Sequence, residues 1–210
     1  MPSVRIARDD PRAIHSRGIV ILKPAHPLIR KLKRDLPTPC IHGDKVWDSS
    51  WLLMDELRRN PPPAGATLMD LGCGWGPLSV FAAKRLKQQV IGIDADDGVF
   101  PYLHLHAELN GVSIETRQRR FEKLSARELG AVTTLAGADI CFWEELTPVL
   151  FNLIRRAIKS GAQRVLIADP GRDPFYQLAE RCEKVFASRI VERSTSTPKA
   201  ALADLLIIEP

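Results

Sequence analysis

Apolar and polar residues follow two different periods along this chain. From about residue 66 onward, short apolar runs rich in β-branched residues alternate with longer stretches in which apolar residues recur every three or four positions. The first pattern suits strands buried on both faces, and the second suits helices laid against them. The runs predict strands at 67–71, 89–94, 113–117, 132–136 and 164–168, with helices near 78–86, 99–110, 125–129, 148–159 and 175–184. DICFW, at 139–143, is an alternative fourth strand; VTTLA is preferred because it is β-branched and is followed by Gly137. The last two apolar runs, SRIVERS and ALADLLIIE, have no helical pattern between them and predict an antiparallel hairpin. Strand and helix in alternation give an α/β fold, doubly wound and mostly parallel.

The first sixty residues read differently. Prolines at 24, 27, 37 and 39, and a PPPAG hinge at 61–65, rule out a long regular element before Val46. KVWDSSWLLMDELRR reads as a helix capped by Asp48 or Ser49, with Leu52, Leu53, Met54 and Leu57 directed at the sheet. The expected organisation is an N-terminal extension, 1–45, and one domain, 46–210.

Composition narrows the picture. The 210 residues, 45% hydrophobic, suffice for one buried core. The first residues lack the apolar centre of a signal peptide, and no run approaches the ~20 residues that span a bilayer. A soluble, cytoplasmic protein with no membrane partner is the expectation. Cys40, Cys73, Cys141 and Cys182 form no CxxC pair, and His104 and His106 would point to different faces of a helix, so no metal site is expected. The net charge of +5 is concentrated in IRKLKR, 29–34, and TRQRRFEK, 116–123. Aromatic residues are sparse around both, which favours solvated faces over a nucleic-acid surface.

The chemistry lies in LMDLGCGWGP, 68–77. In an open parallel sheet, ligands bind outside the carboxyl ends of the strands, and the loop after the first core strand is such a place. Gly72, Gly74 and Gly76 let the main chain turn and approach a ligand closely, ahead of a helix whose first N–H groups face it. Dinucleotide sites space these glycines as GxGxxG, whereas this loop is GxGxG with Asp70 just ahead of it. A carboxylate so placed would repel a pyrophosphate but suits an amino group or a sulfonium, and S-adenosylmethionine carries both. Asp94, at the end of the next strand, suits the two ribose hydroxyls.

LMDLGCGWGPLSVFAAKR followed by VIGIDADD resembles the cofactor motifs of the class I, seven-strand S-adenosylmethionine-dependent methyltransferases. VWDSSWLLMDEL, GADICFWEEL and RVLIADPGRDPF are similar to segments of the protein lysine methyltransferases in that family, most of all the branch acting on the beta subunit of electron transfer flavoprotein. The resemblance covers 44–210 and implies a Rossmann-like, seven-stranded sheet. It implies that Asp70, Gly72, Cys73 and Gly74 surround the methionine end and that Asp94 and Ala95 hold the ribose. Trp47 would lie near the cofactor, Arg120 would border the adenine, and Ala138 would border the methyl group.

The same resemblance makes Asp139 the candidate catalytic residue; Glu144 is next, on an aromatic and acidic run with Trp143 and Glu145 that would form a rim attractive to a positively charged acceptor. An amine acceptor must lose its proton before it can attack, and a carboxylate can orient it. The family shows DxxY where this chain has DICF, so Phe142 replaces a tyrosine and offers only a ring face to a cation. Asp169 and Arg172, in DPGRDPF, either line the acceptor pocket or pair with each other. The expected function is S-adenosylmethionine-dependent methyl transfer to protein lysine. The alternatives are a small-molecule or RNA acceptor, or a non-catalytic cofactor-binding regulator.

Overall fold

The computed structural model describes residues 6–37, 39 and 45–209; Cys40 lies outside them. The chain opens with a hairpin, β1 (Ala13–Ser16) and β2 (Ile19–Leu22), then α1 (Pro27–Asp35). Next come α2 (Ser49–Arg59), β3 (Thr67–Leu71), α3 (Pro77–Arg85), β4 (Gln89–Asp94), α4 (Phe100–Asn110) and β5 (Glu115–Gln118). The remainder is α5 (Ala126–Leu129), β6 (Thr134–Ala138), α6 (Leu146–Lys159), β7 (Arg164–Asp169), α7 (Asp173–Glu183), β8 (Ser188–Thr195) and β9 (Ala201–Ile208).

The large sheet has seven strands in the order β5-β4-β3-β6-β7-β9-β8. β3 to β7 are parallel, and β9 runs antiparallel to both β7 and β8, closing the sheet with the expected hairpin. Alternate residues of the central strands feed two cores. Leu68, Ala136, Leu166 and Ala168 face α2, α3 and α4, while Met69, Leu71, Leu135, Val165 and Ile167 face α5, α6 and α7. On α2, Leu52, Leu53, Met54 and Leu57 are all buried, each contributing about 1.5–3 kcal/mol of transfer free energy.

Three expectations change. The fourth core strand lies at Thr134–Ala138 rather than 132–136, because its register against β3 pairs Leu68 with Thr134 and Leu71 with Gly137. Gly137 is inside the strand, paired with Leu71, and must be small there because a Cβ would stand 2.6 Å from Ile140 Cδ1. The third core strand likewise begins at Glu115, two residues later than its apolar run.

The proline-rich start is more regular than its composition implies. Arg17 and Gly18, at φ 50 and 77, make the tight hairpin turn, and Pro27 occupies the first position of α1, where its missing N–H costs nothing. Ile29 of the basic run is buried, Leu32 packs beside it, and Arg30, Lys31 and Arg34 are exposed, so α1 is docked on one face and solvated on the other.

Candidate active site

A cavity of about 300 Å³ opens at the carboxyl ends of β3, β4 and β6, where the strand order reverses about β3. Trp47, Gly72, Gly74, Asp94, Ala95, Arg120, Ala138 and Asp139 line it, eight positions expected from the sequence. Lys45, Phe121, Ile140 and Leu146 also line it without having been anticipated, and Phe142 and Trp143, both singled out in the sequence, stand at its rim. Phe121 had a signal in its place beside Arg120; Lys45 and Leu146 had none.

The glycine loop is built for close approach. Gly74 has φ +50, and a Cβ there would meet no protein atom within 4 Å, so it would occupy the cavity itself. Gly72 has φ +64, and its Cβ would stand 2.7 Å from Ile140 Cγ2 in the wall. Asp94 ties this loop to β4: one carboxylate oxygen accepts the Gly74 N–H at 3.1 Å, and the other accepts the Asp96 N–H at 3.1 Å. Burial raises its pKa above the ordinary carboxylate value. Bare main chain beside an acid at the end of β4 fits a nucleoside with a cationic tail.

Asp70 and Cys73 sit beneath the loop, and neither is among the cavity-lining residues. The Ser79 hydroxyl donates to Asp70 Oδ2 at 2.6 Å. Ser79 is in the first turn of α3, where the preceding Gly76 has no side chain with which to cap, so Asp70 closes that helix end from the strand. Burial pushes its pKa up to about 7. The Cys73 thiol is raised well above its usual value by burial and stays neutral, a small side chain in a tight turn.

Asp139 follows β6 with φ 55, in the left-handed region, and is 6% exposed. Its Oδ2 accepts the backbone N–H of Ser49 at 3.3 Å, which caps α2; Asp48 makes no such cap. Arg172 donates from one nitrogen to Asp139 Oδ1 at 3.2 Å and to Asp169 Oδ2 at 2.7 Å. The open choice for Asp169 and Arg172 resolves to pairing, with Asp139 as a third member. Burial raises the pKa of both acids, and Arg172 opposes the rise. Above them the guanidinium lies 4.1 Å from the Phe142 ring centre, and Phe142 meets Trp47 edge-on at 5.3 Å.

Glu144 is exposed and is not among the lining residues; its carbonyl accepts the Thr147 N–H at the start of α6. His106 is buried with both ring nitrogens engaged, whereas the exposed His104 faces Thr116.

Residues 68–161 match the methyltransferase domain family, a span that contains the glycine loop, Asp94 and Asp139. The electron transfer flavoprotein beta subunit lysine methyltransferase of Xenopus laevis is 31% identical over 147 residues, 68% of this chain and 59% of that protein. The chain belongs to the class I methyltransferases. The ubiquinone biosynthesis O-methyltransferase of a Ruegeria species is 39% identical over 70 residues, 33% of this chain and 28% of that protein. In fold, TrmN from Thermus thermophilus superposes with a TM-score of 0.62 at 19% identity, covering 76% of this chain and 48% of that one. This chain thus spans little more than half of the first relative and less of the second. S-adenosylmethionine is the family's cofactor, and the cavity's glycines and Asp94 suit it. Among the described residues, no helix is long and apolar enough to cross a membrane.

Proposed function

We propose that this protein transfers the methyl group of S-adenosylmethionine to a lysine side-chain nitrogen of another protein. One observation carries the reading: a buried carboxylate, Asp139, stands in the cavity wall next to Ala138 and among the rings of Trp47, Phe142 and Trp143. The lysine methyltransferase relative, similar over 68% of this chain, supports the same acceptor.

The roles follow from position. Gly72 and Gly74 give the main chain to the cofactor, Asp94 and Ala95 hold its ribose, Arg120 and Phe121 border its base, and Ala138 faces the methyl group. S-adenosylmethionine, when bound, supplies an activated methyl on a sulfonium, so the protein needs no covalent nucleophile. Its task is to align the acceptor for in-line displacement. An ammonium cannot attack, because its nitrogen has no lone pair. Asp139 draws the cation in and accepts a hydrogen bond from it, while the apolar walls lower the amine's pKa and favour release of its proton. The aromatic rim suits the lysine's methylene chain and cationic tip.

A small-molecule acceptor is the second reading. Phe142 stands where the related lysine enzymes have tyrosine, and the ubiquinone O-methyltransferase match shows that similar cofactor segments serve in proteins named for other acceptors.

The deciding experiment incubates the purified protein with methyl-labelled S-adenosylmethionine and cell lysate. Label in a protein band that acid hydrolysis returns as methyl-lysine supports the proposal. Label confined to small molecules or RNA overturns it.

A further inference from the structure

His106 lies on α4, fully buried, and takes no part in the chemistry above. The backbone N–H of Leu22 meets its Nε2 at 3.0 Å, and the carbonyl oxygen of Trp75 lies 2.9 Å from its Nδ1. An amide N–H only donates and a carbonyl only accepts. The two partners therefore dictate one neutral tautomer, protonated on Nδ1 and bare on Nε2. Burial agrees with this, pushing the imidazole pKa down to about 4.

The two partners belong to different parts of the molecule. Leu22 ends β2, in the N-terminal hairpin, while Trp75 lies between Gly74 and Gly76 in the cofactor loop. One turn along α4, Asn110 ties the same hairpin to the helix: its Oδ1 accepts the Val20 N–H at 2.9 Å and its Nδ2 donates to the Val20 carbonyl at 2.7 Å. The Trp75 ring stacks on Tyr102 at 4.9 Å, and the Lys33 ammonium of α1 stands 5.6 Å from its centre. Ala13, Leu22, Ile29, Trp75 and Tyr102 form an apolar cluster separate from the two cores beside the sheet.

This matters because glycines 72, 74 and 76, at φ 64, 50 and 74, leave the loop unusually free when it is not held. Holding it in its bound form beforehand removes an ordering cost from ligand binding. We propose that residues 6–37 act as a clasp on the cofactor loop and that His106 is the positioning residue joining them, so that affinity for S-adenosylmethionine depends on a contact outside the cavity. The inference rests on the assignment of this loop to the cofactor.

The test uses the full chain and calorimetric titration with S-adenosylmethionine. His106→Leu, which keeps bulk and loses both hydrogen bonds, raises Kd by about tenfold or more. His106→Gln, which offers one acceptor and one donor, stays within about threefold of wild type. Ile154→Val loosens the core on the other face of the sheet, away from both hydrogen bonds and from the clasp; it lowers Tm and leaves Kd within about twofold. In nitrogen-15 spectra, the His106 ring shows the Nδ1–H tautomer. Wild-type Kd in His106→Leu, a Gln variant as weak as the Leu variant, or an Nε2–H tautomer overturns the proposal. If His106→Leu does not fold, Asn110→Ala decides, because it removes both Val20 hydrogen bonds and so loosens β2 against α4 while leaving the imidazole in place: a raised Kd supports the clasp, and an unchanged one overturns it. A wild-type protein that binds no S-adenosylmethionine refutes the cofactor assignment instead.

Discussion

The guanidinium carbon of Arg172 stands 4.1 Å from the centre of the Phe142 ring. A cation so placed is attracted by the ring's face, by about 0.5–2 kcal/mol. Phe142 thus steadies the residue that pairs with Asp139, and a tyrosine ring would do the same. Phe142→Leu is expected to lower stability by about 1–2 kcal/mol in chemical denaturation, through lost ring contact and packing, while Phe142→Tyr stays near wild type.

Removing the cation has a distinct signature in pH. Asp139 and Asp169 are 6% and 0% exposed, and burial already raises both pKa values with Arg172 present. Arg172→Met raises them further. An acid whose folded pKa exceeds its unfolded value contributes stability at low pH that is lost as pH rises through the folded pKa. The variant is therefore expected to be nearest to wild type below about pH 4 and furthest from it near pH 8, as read by thermal unfolding across that range.

Asp139 caps α2 and, in the proposed function, faces the acceptor. Asparagine keeps an oxygen for the Ser49 N–H and tolerates the left-handed φ of 55 better than alanine does. Asp139→Asn is expected to leave cofactor affinity within about tenfold, a loss below ~1.4 kcal/mol, and to abolish methyl transfer. Normal turnover in this variant would place the chemistry elsewhere.

The parts that sequence made legible are those set by local pattern. β3 and β4 fall where their apolar runs do, at Thr67–Leu71 and Gln89–Asp94, because a strand buried on both faces leaves little choice of residue. The glycine loop and Asp94 were legible because a tight, bare turn demands glycine and because the acid closes a strand that its own apolar run locates. What was hidden is set by partners far along the chain. Gly137 looked like a strand end and is a point of close packing against Ile140. The cap of α2 comes from Asp139, 90 residues beyond Ser49, and not from its neighbour Asp48. The N-terminal hairpin is hydrogen-bonded by His106 and Asn110, whose side chains meet β2 only in the folded chain. Glu144 had the right chemistry in the sequence, but the turn before α6 directs it to solvent.

Asp70 is expected to make S-adenosylmethionine binding a proton-linked event. Its carboxyl, held at about 7 by burial beneath the loop, is part protonated at neutral pH. A cation held above Gly72 and Gly74 favours the ionised form, so binding releases a proton and affinity rises as pH climbs from about 6 to 8. Calorimetry in two buffers of different ionisation enthalpy measures that proton directly. Asp70→Asn is expected to make the affinity flat over the same range.

The central claim is that a bare peptide loop, with Asp94 beside it, is shaped for S-adenosylmethionine. Titration of the wild-type protein and Gly74→Ala with S-adenosylmethionine and with NAD tests this most directly, because the added Cβ would enter the cavity and meet no protein atom within 4 Å. The account predicts that wild type binds S-adenosylmethionine and not NAD, and that Gly74→Ala loses at least about tenfold in affinity while remaining folded. Binding of NAD in place of S-adenosylmethionine, or an unimpaired Gly74→Ala, would contradict it.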